Sequence, residues 1–150
     1  MGLIQRLFGA STKPPSHHSP IDNASTREAS PIRLEGLGIF ALEAVGESRY
    51  QDVLGQICGG RTEDGVDKFI DAVVICEHNN PYDQDAVRIE ISGLTVAYLS
   101  RQHARVYRQQ MKSAGYGTQT AICAARIRGG WDRGDGDEGP FGVRLDIAIV

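Results

Sequence analysis

The stretch from residue 87 to 99, Val-Arg-Ile-Glu-Ile-Ser-Gly-Leu-Thr-Val-Ala-Tyr-Leu, restricts the fold more than any other part of the chain. Val87, Ile89 and Ile91 alternate with Arg88 and Glu90, the period-two pattern of a strand with one buried face. Ser92-Gly93 is a turn pair, and Thr95 to Leu99 reads as the returning strand of a hairpin. Four further segments read as strands: 38–45, ending at Gly46; 66–76, the most apolar; 118–128; and 141–150. Two helices are expected between them. Tyr50, Val53, Leu54 and Ile57 recur at helical spacing before a Gly59-Gly60 stop. Ser100 is a natural N-cap for the second, which points Ala104, Tyr107, Met111 and Ala114 inward and Arg101, Arg105, Arg108 and Lys112 outward. Six strands, two short helices and no β–α–β rhythm imply a mainly β chain closed into a small barrel.

A chain of 150 residues is about one domain, long enough to bury a core without staples. Its start has a different texture. Residues 11–35 are rich in Ser, Pro, Thr and Asn, a composition that does not offset its own ordering entropy. Residues 1–35 are therefore expected to form a disordered tether, with the domain at 36–150. In Met1 to Gly9, Leu3, Ile4, Leu7 and Phe8 share one helical face beside Arg6, which suits a protein-binding plug or a brief interfacial anchor. His17 and His18 lack the further ligands that a metal site needs.

Cys58, Cys76 and Cys123 form no CxxC pair, and their odd number argues against a disulfide framework. They read as small core residues of a cytoplasmic protein. No run of about 18 apolar residues is present, so no membrane-spanning helix is expected. Net charge is −3, and from residue 36 onward 12 Lys and Arg face 16 Asp and Glu. That excludes a general basic coat. Any nucleic-acid site must be a local basic and aromatic surface.

The densest local signal is Asn79-Asn80-Pro81-Tyr82-Asp83-Gln84-Asp85-Ala86-Val87. Pro81 brings no N–H, and Asn and Asp side chains bond nearby backbone groups, so the segment is first of all a stiff corner between strands. Such a corner can also present chemistry. A tyrosine ring stacks on any base, and a carboxylate accepts from a sugar hydroxyl but repels a phosphate. Tyr82 beside Asp83 thus suits a nucleotide terminus with a free hydroxyl. The same residues equally suit a purely structural turn.

Val45-Gly46-Glu47-Ser48-Arg49-Tyr50, then the 79–87 segment, then Val96-Ala97-Tyr98-Leu99-Ser100-Arg101 with Ala104, resemble the three successive signatures of the HIRAN domain, in the same order and at similar intervals. The likeness spans roughly 38–128. It implies an OB-like barrel that captures the 3′ end of single-stranded DNA, as in the remodellers of stalled replication forks, and hence a DNA-repair or fork-related role. By motif position, Asn79, Asn80, Tyr82 and Asp83 resemble the loop that stacks on the terminal base and reads its 3′-hydroxyl. Tyr98 falls at a ring-bearing position, Tyr50 at an aromatic one, and Arg101 at a phosphate contact near a helix start. Ser48 and Arg49 stand where DNA-capturing relatives carry Arg and then an aromatic residue. One stacking ring is lost there, and Arg49 is left to stack or to meet phosphate; Glu47 adds negative charge. The expected site is Ser48, Arg49, Tyr50, Asn79, Asn80, Tyr82, Asp83, Tyr98 and Arg101, with single-stranded DNA as partner and no cofactor or metal.

Other chemistry is thinly represented. Asp132, Asp135 and Asp137 in the Gly-rich loop 129–139 miss calcium-loop spacing; Trp131 there is either a stacking group on a flap or a half-buried anchor. No GxxxxGK[ST], HExxH or GxSxG sequence occurs. Asp83 and Asp85 leave a metal-dependent nuclease as a distant alternative, behind a peptide-binding module that uses a sheet edge.

Overall fold

The computed structural model describes residues 30–149, so the apolar start, both tether histidines and most of the expected tether lie outside the described residues. The chain is mainly β, with seven strands in one curled sheet: β1 (Ile32–Arg33), β2 (Leu42–Glu43), β3 (Val66–Cys76), β4 (Val87–Ile91), β5 (Leu94–Tyr98), β6 (Ala121–Gly129) and β7 (Phe141–Leu145). A 3-10 turn (Glu47–Tyr50) leads into helix α1 (Gln51–Cys58), and helix α2 spans Arg101–Ser113. Strand order is β2-β7-β6-β3-β4-β5, all antiparallel. β1 runs parallel to the start of β6.

The two ends of this sheet meet. Val45, just past β2, bridges Tyr98 of β5 through reciprocal backbone hydrogen bonds of 2.8 Å. Curling lets each strand turn one face inward, and the alternation expected of a closed sheet follows. Val87, Ile89 and Ile91 of β4, Ala121, Cys123, Ala125 and Ile127 of β6, and Phe141, Val143 and Leu145 of β7 are all buried. Leu54 of α1 and Ala104, Tyr107 and Met111 of α2 join the same core. Each fully buried Leu or Ile contributes roughly 1.5–3 kcal/mol through apolar area removed from water. Cys76 and Cys123 are core residues and Cys58 is half-buried; burial pushes all three thiols up, Cys123 to about 12.

Several elements differ from the sequence reading. Segment 38–45 was expected as a continuous strand but pairs regularly only at Leu42–Glu43. Left-handed backbone at Gly38 (φ 81) and Phe40 (φ 47) breaks the extension before it. Gly38 N instead donates to the Asp146 carboxylate. Strand count rises from six to seven because Ile32 and Arg33, inside the expected tether, pair with Ala121 and Ile122. Ala114 is exposed rather than inward, and Arg108 is not a solvated outer residue, as described below.

The hairpin turn is as read: Ser92 (φ 55) and Gly93 (φ 79) both adopt left-handed backbone, the turn whose twist suits a two-residue connection. Its register is not regular. Glu90 pairs with Thr95 but Ile89 with Ala97, so Val96 is a bulged residue. Val96 and Ala97 are therefore both buried, and Tyr98 lies opposite Arg88 on the other face.

Helix α2 begins as its sequence requires, with the Ser100 hydroxyl accepting from His103 N at 3.1 Å. Ser100→Ala is expected to lower unfolding free energy by about 1 kcal/mol and Ser100→Asp by only a few tenths. Urea denaturation with an unchanged m-value checks both.

Candidate nucleic-acid interface

The corner after β3 is built by its own side chains. Asn80 Oδ1 accepts from the backbone N–H groups of Tyr82 (2.8 Å) and Asp83 (3.2 Å), and Asp83 Oδ1 accepts from Asp85 N (2.9 Å). These are side-chain turns of the kind that Asn and Asp favour. Ala86 N donates to Asp83 O, and Glu77 N donates to Ala86 O, which closes the loop's base.

Arg108 of α2 clamps that base from outside the loop. Its guanidinium donates to the carbonyls of Glu77 (2.6 Å), Asp85 (2.9 Å) and Ala86 (3.0 Å). The sequence reading put Arg108 on a solvated helix face because 3.6-residue spacing shows which way a side chain leaves the helix, not how far it reaches. Arginine presents five N–H donors in a rigid fork, which suits a cluster of carbonyls.

Glu77 is the second residue that sequence reasoning missed. Its Oε1 accepts from Asn80 Nδ2 (2.9 Å), and its Oε2 accepts from Tyr98 OH (2.9 Å) and Arg88 Nη1 (2.7 Å). Arg88 Nε also donates to Glu90 Oε2 (3.0 Å). Partial burial alone would raise the Glu77 carboxyl, but the hydrogen bonds from Arg88, Asn80 and Tyr98, with the Arg88 charge, outweigh it and hold it below the ordinary carboxylate value. For Tyr98 the causes act together: burial first, then the hydrogen bond to Glu77 and the charge of Glu77, push the phenol up to about 12. The only advance signal was the Arg88–Tyr98 pairing, and the bulge at Val96 hid that register.

Above this network lies an open concavity of about 530 Å³, lined by Arg49, Tyr50, Asn80, Tyr82, Asp83, Ala86, Tyr98 and Leu99. Tyr82 is 85% exposed, so its ring is not spent on the core. The Asp83 carboxylate is more committed: Oδ1 serves the Asp85 amide, while Oδ2 lies 3.8 Å from Arg101 Nε. Arg101 stands at the rim, donating to Tyr82 O at 3.1 Å, with its side chain 68% exposed. Ser48 and Asn79 are exposed and do not line the concavity. Comparison with family models, with curated proteins and with solved structures finds no match for this chain.

The other candidates lie elsewhere. Trp131 is half-buried against Gly139, its Nε1 donating to Asp137 Oδ1 at 3.3 Å, and it does not line the concavity. Glu47, read as a stray negative charge, has a structural use: its Oε2 accepts from Val143 N at 3.0 Å and ties the 3-10 turn to β7. Gln51 does the same at Phe141, donating to its carbonyl and accepting from its N–H. Among the described residues no group of three His, Cys, Asp or Glu is placed to hold a metal ion.

Arg108→Met keeps an unbranched stem but removes every donor from three loop carbonyls. The expected outcome is a loss of about 1.5–3 kcal/mol, the range for hydrogen bonds to charged groups. Faster amide exchange at Glu77 and Ala86 should accompany it. Unchanged exchange at those two amides would show that the loop holds without the clamp.

Proposed function

We propose that this concavity binds the 3′ end of single-stranded DNA and that the chain is a non-catalytic, HIRAN-type binding module. The observation that carries the reading is convergence. Three segments far apart in sequence, 45–50, 79–87 and 96–101, meet at one surface, with Arg49, Tyr50, Asn80, Tyr82, Asp83 and Tyr98 lining it. The third segment ties the other two together: Tyr98 is bridged to Val45, Glu77 links Tyr98 to Asn80, and Arg101 donates to Tyr82 O.

The chemistry suits a strand terminus. Tyr82 offers an exposed ring for stacking, worth about 1–3 kcal/mol per base. Asp83 Oδ2 has no close hydrogen-bond donor among the described residues and is the natural acceptor for a terminal hydroxyl. Arg49 and Arg101 place two cations at the mouth, enough for one or two phosphates. The concavity's size falls within the roughly 300–1,000 Å³ of ligand pockets. A module of this kind acts by targeting or protecting DNA ends rather than by chemistry of its own.

Oligonucleotide titration by fluorescence anisotropy tests the reading. A 3′-hydroxyl strand should bind more tightly than the same strand ending in a 3′-phosphate, and equal affinities would remove the role given to Asp83. Tyr82→Ala should weaken binding by about 5- to 150-fold, the equivalent of 1–3 kcal/mol. The log–log salt slope should be shallow, about −0.7 for each phosphate neutralised. Failure of every strand to bind at low salt would sink the proposal.

A further inference from the structure

We infer that Glu77 is the positioning residue of this cleft, holding Tyr98 so that it offers a ligand its ring face and not its hydroxyl. The ligand part of this inference rests on the nucleic-acid reading above; the positioning part does not. Glu77 is the first residue after β3, yet its carboxylate touches the corner, β4 and β5 together, through Asn80, Arg88 and Tyr98. Its side chain is 14% exposed, so few of its acceptor positions are left to water.

Three consequences follow from counting donors and acceptors. A tyrosine hydroxyl carries one hydrogen, and that of Tyr98 is given to Glu77 Oε2. What remains on that oxygen is acceptor only, beside an anion, so a phosphate oxygen finds no donor there. Asn80 is likewise oriented: one amide hydrogen goes to Glu77, and its Oδ1 accepts from two loop amides, so turning the amide over would break all three bonds. Finally, Arg88 lies 2.7 Å from Glu77 but also pairs with Glu90 at 3.0 Å, so one cation serves two carboxylates and the cluster under the cleft does not attract a phosphate. A flat, neutral group therefore belongs against Tyr98 and Tyr50, and phosphates belong outward at Arg49 and Arg101. The ligand enters base first.

Two measurements test this, one free of ligand. In tyrosine 13Cζ titrations of the full chain, with Tyr98→Phe identifying the resonance, the Tyr98 phenol should titrate near 12 in the native protein. Glu77→Gln should move it back toward the ordinary value of about 10, because the carboxylate charge that disfavours phenolate is gone while burial persists. Tyr50 and Arg88 are the other charged or titratable neighbours, and neither variant alters them. A Tyr98 value unmoved by Glu77→Gln overturns the positioning role, whether or not DNA binds.

The second measurement uses the 3′-hydroxyl oligonucleotide. Tyr98→Ala should lose about 5- to 150-fold, as expected for a stacking ring, while Tyr98→Phe, which keeps the ring but loses its tie to Glu77, should lose no more than Glu77→Gln does. Glu77→Gln should weaken binding on the native background, and its loss should shrink on the Tyr98→Ala background. Residues that act as a unit are non-additive. Equal losses for Tyr98→Phe and Tyr98→Ala, or additive losses for Glu77→Gln and Tyr98→Ala, would overturn the inference. If no strand binds the native protein, the functional proposal falls and the titration still decides the role of Glu77.

Discussion

Two backbone hydrogen bonds between Val45 and Tyr98 join the ends of the sheet, and the cleft exists because they do. Without that bridge β2 and β5 would be the free margins of an open sheet, and the segment 45–50 would have no reason to lie beside 96–101. Closure also places the 3-10 turn, since Glu47 and Gln51 anchor it to β7 at Val143 and Phe141. Arg49 and Tyr50 ride on that turn into the cleft. The site is thus a seam, assembled where the barrel shuts.

The outward sheet face is managed differently. Arg126–Asp67 and Arg144–Glu43 pair across neighbouring strands, and Arg33–Asp71 reaches from β1 over β6 to β3, each with its carboxylate exposed. Such pairs contribute little to stability. Their effect is on the field: Arg33, Arg126 and Arg144 are answered locally, and Arg126 also lies 5.0 Å from the Phe69 ring. Arg49 takes part in none of the ion pairs among the described residues, and Arg101 only in the long contact to Asp83. A chain with net charge −3 can therefore still hold a basic rim at one place.

Much of this was legible in the sequence. Period-two apolar runs located β4, β6 and β7, the apolar run 66–76 located β3, and the Ser92-Gly93 pair located the hairpin turn, because burial leaves a local trace. The Ser100 cap and the Ala104, Tyr107 and Met111 stripe were equally local. What escaped notice was relational. Glu77 and Arg108 are ordinary charged residues in sequence, and their use depends on carbonyls and hydroxyls contributed by segments up to 31 residues away. Phe40 in left-handed backbone breaks a plausible strand without any glycine at that position. The tether boundary was placed late because two residues, Ile32 and Arg33, are too short a run to show periodicity.

The extra residue in β5 has a consequence for how this surface tolerates change. A strand shows alternate side chains to alternate sides, so counting from the turn at Ser92-Gly93 sorts residues by parity. Val96 upsets the count once, and every position after it trades sides. Were every residue of β5 paired in turn, with none left over, the same composition would send the phenol inward and an alanine outward. Residue count, more than chemistry, decides here which side chain meets the outside world: losing the surplus residue would leave the phenol where it is, whereas losing the irregularity without losing a residue would turn it in.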